Sequence, residues 1–447
     1  MQSRSNSIVS GSGRLVPILA VLFTAAIFIA GGASRADAEG QIFVRLAALV
    51  TLIALVLFAP RPDWSGLRFI LGMLLATVVL IVAQLVPLPP SIWMELPGRD
   101  LFAQAALAAG EPQPWRPISI APDATVNALF AMVVPLAFLA LLACLQPAQL
   151  RRFLTPVLVV IAGSSIIGLI QFSGVAYNHP FVNDIPGEVS GIFANRNHFA
   201  LFLAVGCALV PTWVVQGEPK QYWRLFVAIG MLVLFSLMAL ATGSRAGIIA
   251  TVLALPLGFA AVWGKIRNRA AQMPKWMSLG AAVGAIASFA LAIGASILLG
   301  RAAAIERLIV ADEIGGIRQE ALPTILDMIR TYFPFGTGIG TFDPAYRIAE
   351  PARNLSYSYF NQAHNDVLQT SLDGGMFGLL LLLIGIAWAA WRGVLAWRKR
   401  GNPFARLGFS ILFLVAVASL VDYPARTPIF MVLIILAAAW TSRAEAQ

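Results

Sequence analysis

Residues Leu15–Ala33 read LVPILAVLFTAAIFIAGGA, a stretch with no charged side chain. A helix that crosses a hydrocarbon core of roughly 30 Å needs about 20 predominantly apolar residues, so this stretch alone is long enough to span. It is read as a first membrane helix and not as a cleavable leader. It also opens a series. Apolar runs recur near 41–59, 68–88, 125–146, 153–176, 198–216, 224–242, 246–263, 277–300, 373–392, 407–422 and 427–441, the last two being short. The series predicts an all-α polytopic membrane protein of about twelve transmembrane helices, with residues 1–447 forming a single membrane domain. Composition agrees: 59% of the residues are hydrophobic and 12% charged, against roughly 25% charged in a soluble domain. A soluble enzyme on a membrane anchor is excluded.

The net charge of +10 is not a nucleic-acid footprint, because the basic residues recur in short clusters between the apolar runs. Placing the N-terminus inside puts Arg4 and Arg14, Arg61 and Arg68, Arg151 and Arg152, Lys220 and Arg224 on the cytoplasmic side. Lys265, Arg267, Arg269 and Lys275, then Arg392, Arg398, Lys399, Arg400 and Arg406, and finally Arg443 follow them there, and with them every lysine. The positive-inside rule therefore predicts an N-in, C-in topology. Cys144 and Cys207 lie within apolar runs, without metal-ligand spacing or a disulfide framework.

This topology puts three longer connections outside: 89–124, rich in proline and tryptophan, 177–197, and the largest, 301–372. Within the last, Leu322, Ile325, Leu326, Ile329 and Phe333 recur at helical spacing. That stripe suits a helix lying on the membrane surface and equally a helix packed on the loop's own core. The segment 301–372 is expected to carry part of the site.

The outer ends of the spans hold the chemistry-bearing residues. Arg245, in Thr242-Gly243-Ser244-Arg245-Ala246-Gly247, sits between two spans with almost no loop. An ionisable residue there is a functional candidate, and a guanidinium grips phosphate bidentately at any pH; snorkelling to lipid phosphates is the competing reading. His364, in Asn361-Gln362-Ala363-His364-Asn365-Asp366, is one of three histidines. Imidazole titrates near neutrality and accepts protons from hydroxyl groups, though an interfacial histidine with a single hydrogen bond reads the same way. The run Gly191-Ile192-Phe193-Ala194-Asn195-Arg196-Asn197-His198-Phe199-Ala200 suits polyol or phosphate contacts and equally a helix cap. Arg318 precedes Pro334-Phe335-Gly336-Thr337-Gly338-Ile339-Gly340. No strand precedes these glycines and no Gly-Lys-Ser/Thr follows, so a nucleotide site is rejected. The glycines are read as a flexible turn whose N–H groups face a ligand. His179, His198 and His364 are too dispersed for a zinc motif.

Taken in order, these pieces resemble the O-antigen ligase and polymerase superfamily of bacterial envelope glycosyltransferases. The resemblance rests on Trp115-Arg116-Pro117-Ile118-Ser119-Ile120, the run at 191–200, Gly243-Ser244-Arg245-Ala246-Gly247, and Arg318 with the glycine turn. It continues through His364-Asn365-Asp366-Val367-Leu368-Gln369, Asp373-Gly374-Gly375-Met376-Phe377-Gly378 and Asp422-Tyr423-Pro424, and it spans about residues 85–435. Asp373 departs from the family's usual glutamate. The resemblance implies a helical, GT-C-like membrane glycosyltransferase of the bacterial inner membrane, active at its periplasmic face, with the three outer connections as periplasmic loops. It implies a donor glycan on undecaprenyl diphosphate and an acceptor hydroxyl on lipid A-core or on another glycan. It implies inverting transfer without a metal, a cofactor, a nucleotide or nucleic acid. On that footing Arg245 and Arg318 clamp the diphosphate, His364 accepts the acceptor's proton, and Asn195, Arg196, Asn197, Asn365 and Asp366 contact substrate. A ligase acting on finished polymer is favoured over a polymerase joining carrier-linked repeats. A flippase or transporter is disfavoured, since it should carry ionisable residues near the bilayer midplane.

Overall fold

The computed structural model describes residues 3–175, 177–183, 185–218, 221–272, 283, 313–355, 360–399 and 402–443. Among them the helices run α1 (Ser3–Ala30), α2 (Glu39–Phe58), α3 (Arg68–Leu85), α4 (Pro90–Trp93), α5 (Asp100–Ala108) and α6 (Pro122–Ala131). They continue as α7 (Val133–Ala143), α8 (Pro147–Arg152), α9 (Leu154–Phe172), α10 (Arg196–Gln216), α11 (Trp223–Ala241) and α12 (Arg245–Gln272). The remainder are α13 (Glu313–Tyr332), α14 (Phe342–Ala349), α15 (Asp366–Arg398), α16 (Pro403–Ala418) and α17 (Pro428–Arg443). No β-strand forms among the described residues; one isolated bridge joins Leu88 and Arg116. Eight helical stretches are long and apolar enough to cross a membrane, with α6–α7 and α8–α9 each counted once, and three shorter apolar helices lie at Leu15–Ala30, α16 and α17. The expected span 277–300 lies outside the described residues.

Several expected boundaries shift, each for a local reason. The run 125–146 breaks at Met132 and the run 153–176 begins earlier, in α8, and breaks at Phe153. Proline inside a helix removes an N–H and collides with the carbonyl four residues back. Pro135 and Pro156 lie four residues after Ala131 and Arg152, where α6 and α8 end. Helix α15 starts at Asp366, ahead of the expected 373, because the Asn365 side chain accepts from the Val367 and Leu368 N–H groups, each at 3.0 Å.

Helix α10 is the centre of the bundle: 94% of its apolar window is buried inside the protein, as suits a helix apolar on every face. Helix α12 lies against it through a small-residue stripe, Gly247, Ala250, Ala254, Gly258 and Ala261, all buried. A Cβ on Gly258 would stand 2.6 Å from the Ala208 carbonyl oxygen, and one on Gly247 2.1 Å from the Ala200 Cβ. Close backbone approach of this kind is how membrane helices gain contact where burial from water offers no driving force.

At one end of the bundle, arginines cover helix C-termini, whose last carbonyls have no partner within the helix. Arg269 donates to the Val214 carbonyl at 2.7 Å and Arg392 to Thr441 at 2.8 Å. Arg406 reaches Ala396 at 3.1 Å, and the buried Arg443 reaches Leu142 at 2.8 Å and Leu145 at 3.0 Å.

At the other end the connections fold into a cap. Arg99, 1% exposed, donates to the carbonyls of Ile118 (2.6 Å) and Gly336 (3.1 Å) and lies between the Trp93 and Tyr332 rings. It thereby joins the 89–124 connection to the glycine turn. Helix α13 carries the expected stripe, and the stripe divides. Ile325 is buried with Ala321, Met328 and Tyr332 in the cap's own core, while Leu322, Leu326 and Phe333 face outward.

The glycine turn is corrected by the structure. Its N–H groups do not face a ligand. Thr337 N donates to the Leu372 carbonyl and Gly338 N to that of Asp373, both at 2.9 Å, Ile339 N to Gln84 Oε1 at 2.9 Å, and Gly340 N to Asp373 Oδ2 at 3.2 Å. The cause lies in α15, which kinks at Gly375 (φ 58°) and exposes carbonyls that the turn fills. A Cβ on Gly375 would meet the Pro334 oxygen at 2.1 Å. Gly375→Ala and Gly258→Val should each destabilise the protein by about 1–3 kcal/mol. The expected reading is a lowered melting midpoint in detergent, with Gly72→Ala, where a Cβ meets nothing within 4 Å, as the unaffected control.

Candidate active site

Three of the helices that begin at the capped end do so on a residue suited to N-capping. Asn195 Oδ1 accepts from Asn197 N at 2.8 Å to start α10, Ser244 Oγ from Gly247 N at 3.0 Å to start α12, and Asn365 starts α15. The connection 419–427, between α16 and α17, crosses this end. Its backbone is tied to α15 by Asp366 N donating to the Ser419 carbonyl and Asn365 Nδ2 to that of Leu420, both at 2.8 Å.

The connection delivers Asp422, 2% exposed, into the middle of the cluster. Asn197 Nδ2 donates to its Oδ2 at 2.7 Å and Asn195 Nδ2 at 3.2 Å. Its own neighbour Tyr423 donates a backbone N–H to Oδ1 at 3.0 Å. His364 Nδ1 lies 3.3 Å from Oδ1 and His198 Nε2 3.9 Å from it. Arg318, on α13, donates to the Val421 carbonyl at 3.2 Å and adds its positive charge to the carboxylate's surroundings. Burial alone would raise the Asp422 carboxyl, but the His364 hydrogen bond, His198 and Arg318 outweigh it and hold the group well below the usual carboxylate range. Burial lowers His364 below its ordinary value, against the pull of Asp422.

His364 is held in an unusual shape. At φ 49° it is the one non-glycine residue with positive φ among those described, a conformation that costs about 1–3 kcal/mol. Both flanks are fixed. Ala363 N donates to Gln369 Oε1 at 3.0 Å, and Asn365 is locked as the helix cap. The ring rests against Phe360 and Tyr423, with centroids at 5.2 and 4.9 Å. With Nδ1 donating to Asp422, Nε2 becomes the lone-pair nitrogen, the one able to accept a proton.

A pair of carboxylates, Asp366 and Asp373, lies behind Asp422. Asp366 accepts from Ser419 Oγ at 2.8 Å, and Arg426 sits 3.5 Å from Asp366 Oδ1 and 3.7 Å from Asp373 Oδ2. Sequence reasoning assigned no role to Asp422, His198 or Arg426. The available signal was an aspartate at the end of an apolar run, in Asp422-Tyr423-Pro424, where a charge needs a partner.

The expected site residues separate into groups. His364 and Arg318 meet at Asp422, together with Asn195 and Asn197. Asn365 and Asp366 are engaged by the backbone of α15, the 419–427 connection and Arg426. Arg196 turns to Glu188 at 3.6 Å. Arg245 is exposed at the first turn of α12, while its neighbours Ala246 and Gly247 line a crevice with Asn197, His198 and Asp422. His179 stays local, accepting from Phe181 N at 3.2 Å. The arrangement offers an oriented proton acceptor, a fixed negative charge behind it, helix N-termini that favour anions, and cations to either side.

Residues 230–383 match the model of the O-antigen ligase family. The matched stretch starts in α11, includes Arg245, Arg318, the glycine turn and His364, and ends within α15; Asn195, His198 and Asp422 lie outside it. Comparison with the curated proteins gives no match. The family acts in glycan transfer during envelope glycan synthesis. The match covers about a third of the chain and supports the resemblance of that stretch to the O-antigen ligase and polymerase superfamily.

Proposed function

We propose that this protein transfers a glycan from a polyprenyl-diphosphate carrier to an acceptor hydroxyl at the periplasmic face of the bacterial inner membrane, in the manner of an O-antigen ligase. The observation that carries the reading is His364, partly buried, backbone-fixed and backed by Asp422, beside Arg318. His364 Nε2 accepts the proton of the acceptor hydroxyl as its oxygen attacks the sugar carbon. The carrier diphosphate leaves from the opposite side, so the configuration at that carbon inverts. Asp422 orients the ring and stabilises the imidazolium that forms. Arg318 and the exposed Arg245 hold the diphosphate, whose charge grows as the bond breaks. Asn195 and Asn197 brace Asp422, and Asn365 and Asp366 brace His364. Arg196, turned to Glu188, fixes the start of α10 beside the glycan path. The donor is already activated, so no nucleotide is needed at this face.

The polar cluster gathers at one end of helices whose interiors are apolar, which favours chemistry at that end over passage through the bundle. In membranes with matched expression, His364→Ala should lower transfer about 10²–10⁴-fold and Arg318→Ala about 10²–10³-fold. Parental rates in both variants would refute the mechanism. Accumulation of full-length polymer on the carrier after deletion indicates the ligase acceptor, and accumulation of single repeats the polymerase one.

The pH dependence follows from burial. The acceptor form of His364 is the neutral ring, and burial holds its pKa below the ordinary value near 6.5. The acid limb of transfer should therefore be centred below pH 6.5, and at pH 6.5 the neutral ring is already the majority form. A pH profile of initial rates checks this; an acid limb centred above pH 6.5 contradicts it.

A further inference from the structure

Asp422 faces a second imidazole that the mechanism above does not use. His198, in the first turn of α10, is 2% exposed, and neither of its ring nitrogens has a hydrogen-bond partner. Its ring is held edge-on by Tyr423, Phe430 and Phe193, with centroids at 5.1, 6.1 and 6.4 Å. It lines the crevice shared with Asn197, Asp422, Ala246 and Gly247. Packing alone does not call for an imidazole among these rings, since burying unpaired polar nitrogens is costly. What distinguishes the position is Asp422 Oδ1, 3.9 Å from His198 Nε2 and 3.3 Å from His364 Nδ1.

We propose that His198 is a positioning residue for His364. The two rings share one carboxylate oxygen, and His198 sets how much of it is left to hold His364 and its proton. The charged and titratable groups facing this trio are Arg318 from α13, Tyr423 and Arg426 from the 419–427 connection, and Asp366 from the start of α15. One carboxylate beside Arg318 does not accompany two imidazolium ions, so a proton on either ring disfavours a proton on the other. A His198 N–H directed at Oδ1 weakens the carboxylate's pull on His364. Removing it leaves Oδ1 to His364 and the Tyr423 N–H, and His364 then keeps its proton to higher pH. The coupling stands on this geometry; its consequence for glycan transfer rests on the function proposed above.

The chain has three histidines, so ¹⁵N-histidine NMR of the full-length protein in lipid nanodiscs resolves each ring. His198→Phe should raise the His364 titration midpoint by about 0.5–1 pH unit, and His198→Gln, which keeps an N–H donor, should restore most of the difference. In the parental protein the His198 signals should inflect at the His364 midpoint, a reading that needs no variant and decides the matter if His198→Phe does not assemble. An unmoved His364 midpoint in His198→Phe, or no inflection in the parent, overturns the proposal. If the midpoint moves while the acid limb of the transfer rate does not, the coupling stands and the role of His364 as proton acceptor falls.

Discussion

A carboxylate as buried as Asp422 survives as an anion only when donors surround it, because an unpaired charge in a low-dielectric interior is far costlier than an exposed one. Here the donors come from several elements of the capped end. Asn195 and Asn197 bring the start of α10, His364 the start of α15, Tyr423 its own backbone, and Arg318 the helix α13 of the cap. Each partner is fixed in turn by a cap or a backbone bond. The carboxylate thus determines how three helices and a connection meet, and the strained backbone of His364 is tolerated because that meeting over-determines it.

The helices were legible in the sequence because a bilayer demands long apolar runs. Their breaks at Met132 and Phe153 were not placed, although Pro135 and Pro156 were in plain view. Proline marks the residue four before it, and a reading that looks only for apolar length passes over that offset. At the site, His364, Asn195 and Asn197 were recognisable as unusual residues at span ends, and Arg318 as an arginine of the largest connection. Their convergence on Asp422 was not, because a contact between residues 195 and 422 leaves no periodic trace. The glycine turn shows the opposite limit. Its composition suggested open amides, and only the kink at Gly375 explains why they are filled by α15.

The arginines of the opposite end carry more than a topological signal. Arg269, Arg392, Arg406 and Arg443 were read as inner-face charge, and they also cover the final carbonyls of α10, α17, α15 and α7. A guanidinium serves this purpose well, with five donors and a charge that suits the negative end of a helix. The bundle therefore has asparagine and serine N-caps at the site's end, and at the other end arginines over helix C-termini beside the Asn402 cap that starts α16.

The hydrogen bonds of Asp422 reach back 227 residues to Asn195, 225 to Asn197 and 58 to His364. A ribosome adding about 5–20 residues each second leaves α10 waiting on the order of ten to fifty seconds before Asp422 is made. During that interval Asn195 and Asn197, already made, lack the anion they bind in the finished protein. Insertion of the α16–α17 hairpin then completes the core around α10 and α12 and delivers the carboxylate in one step, so the polar cluster closes only when nearly all of the described helices are in place.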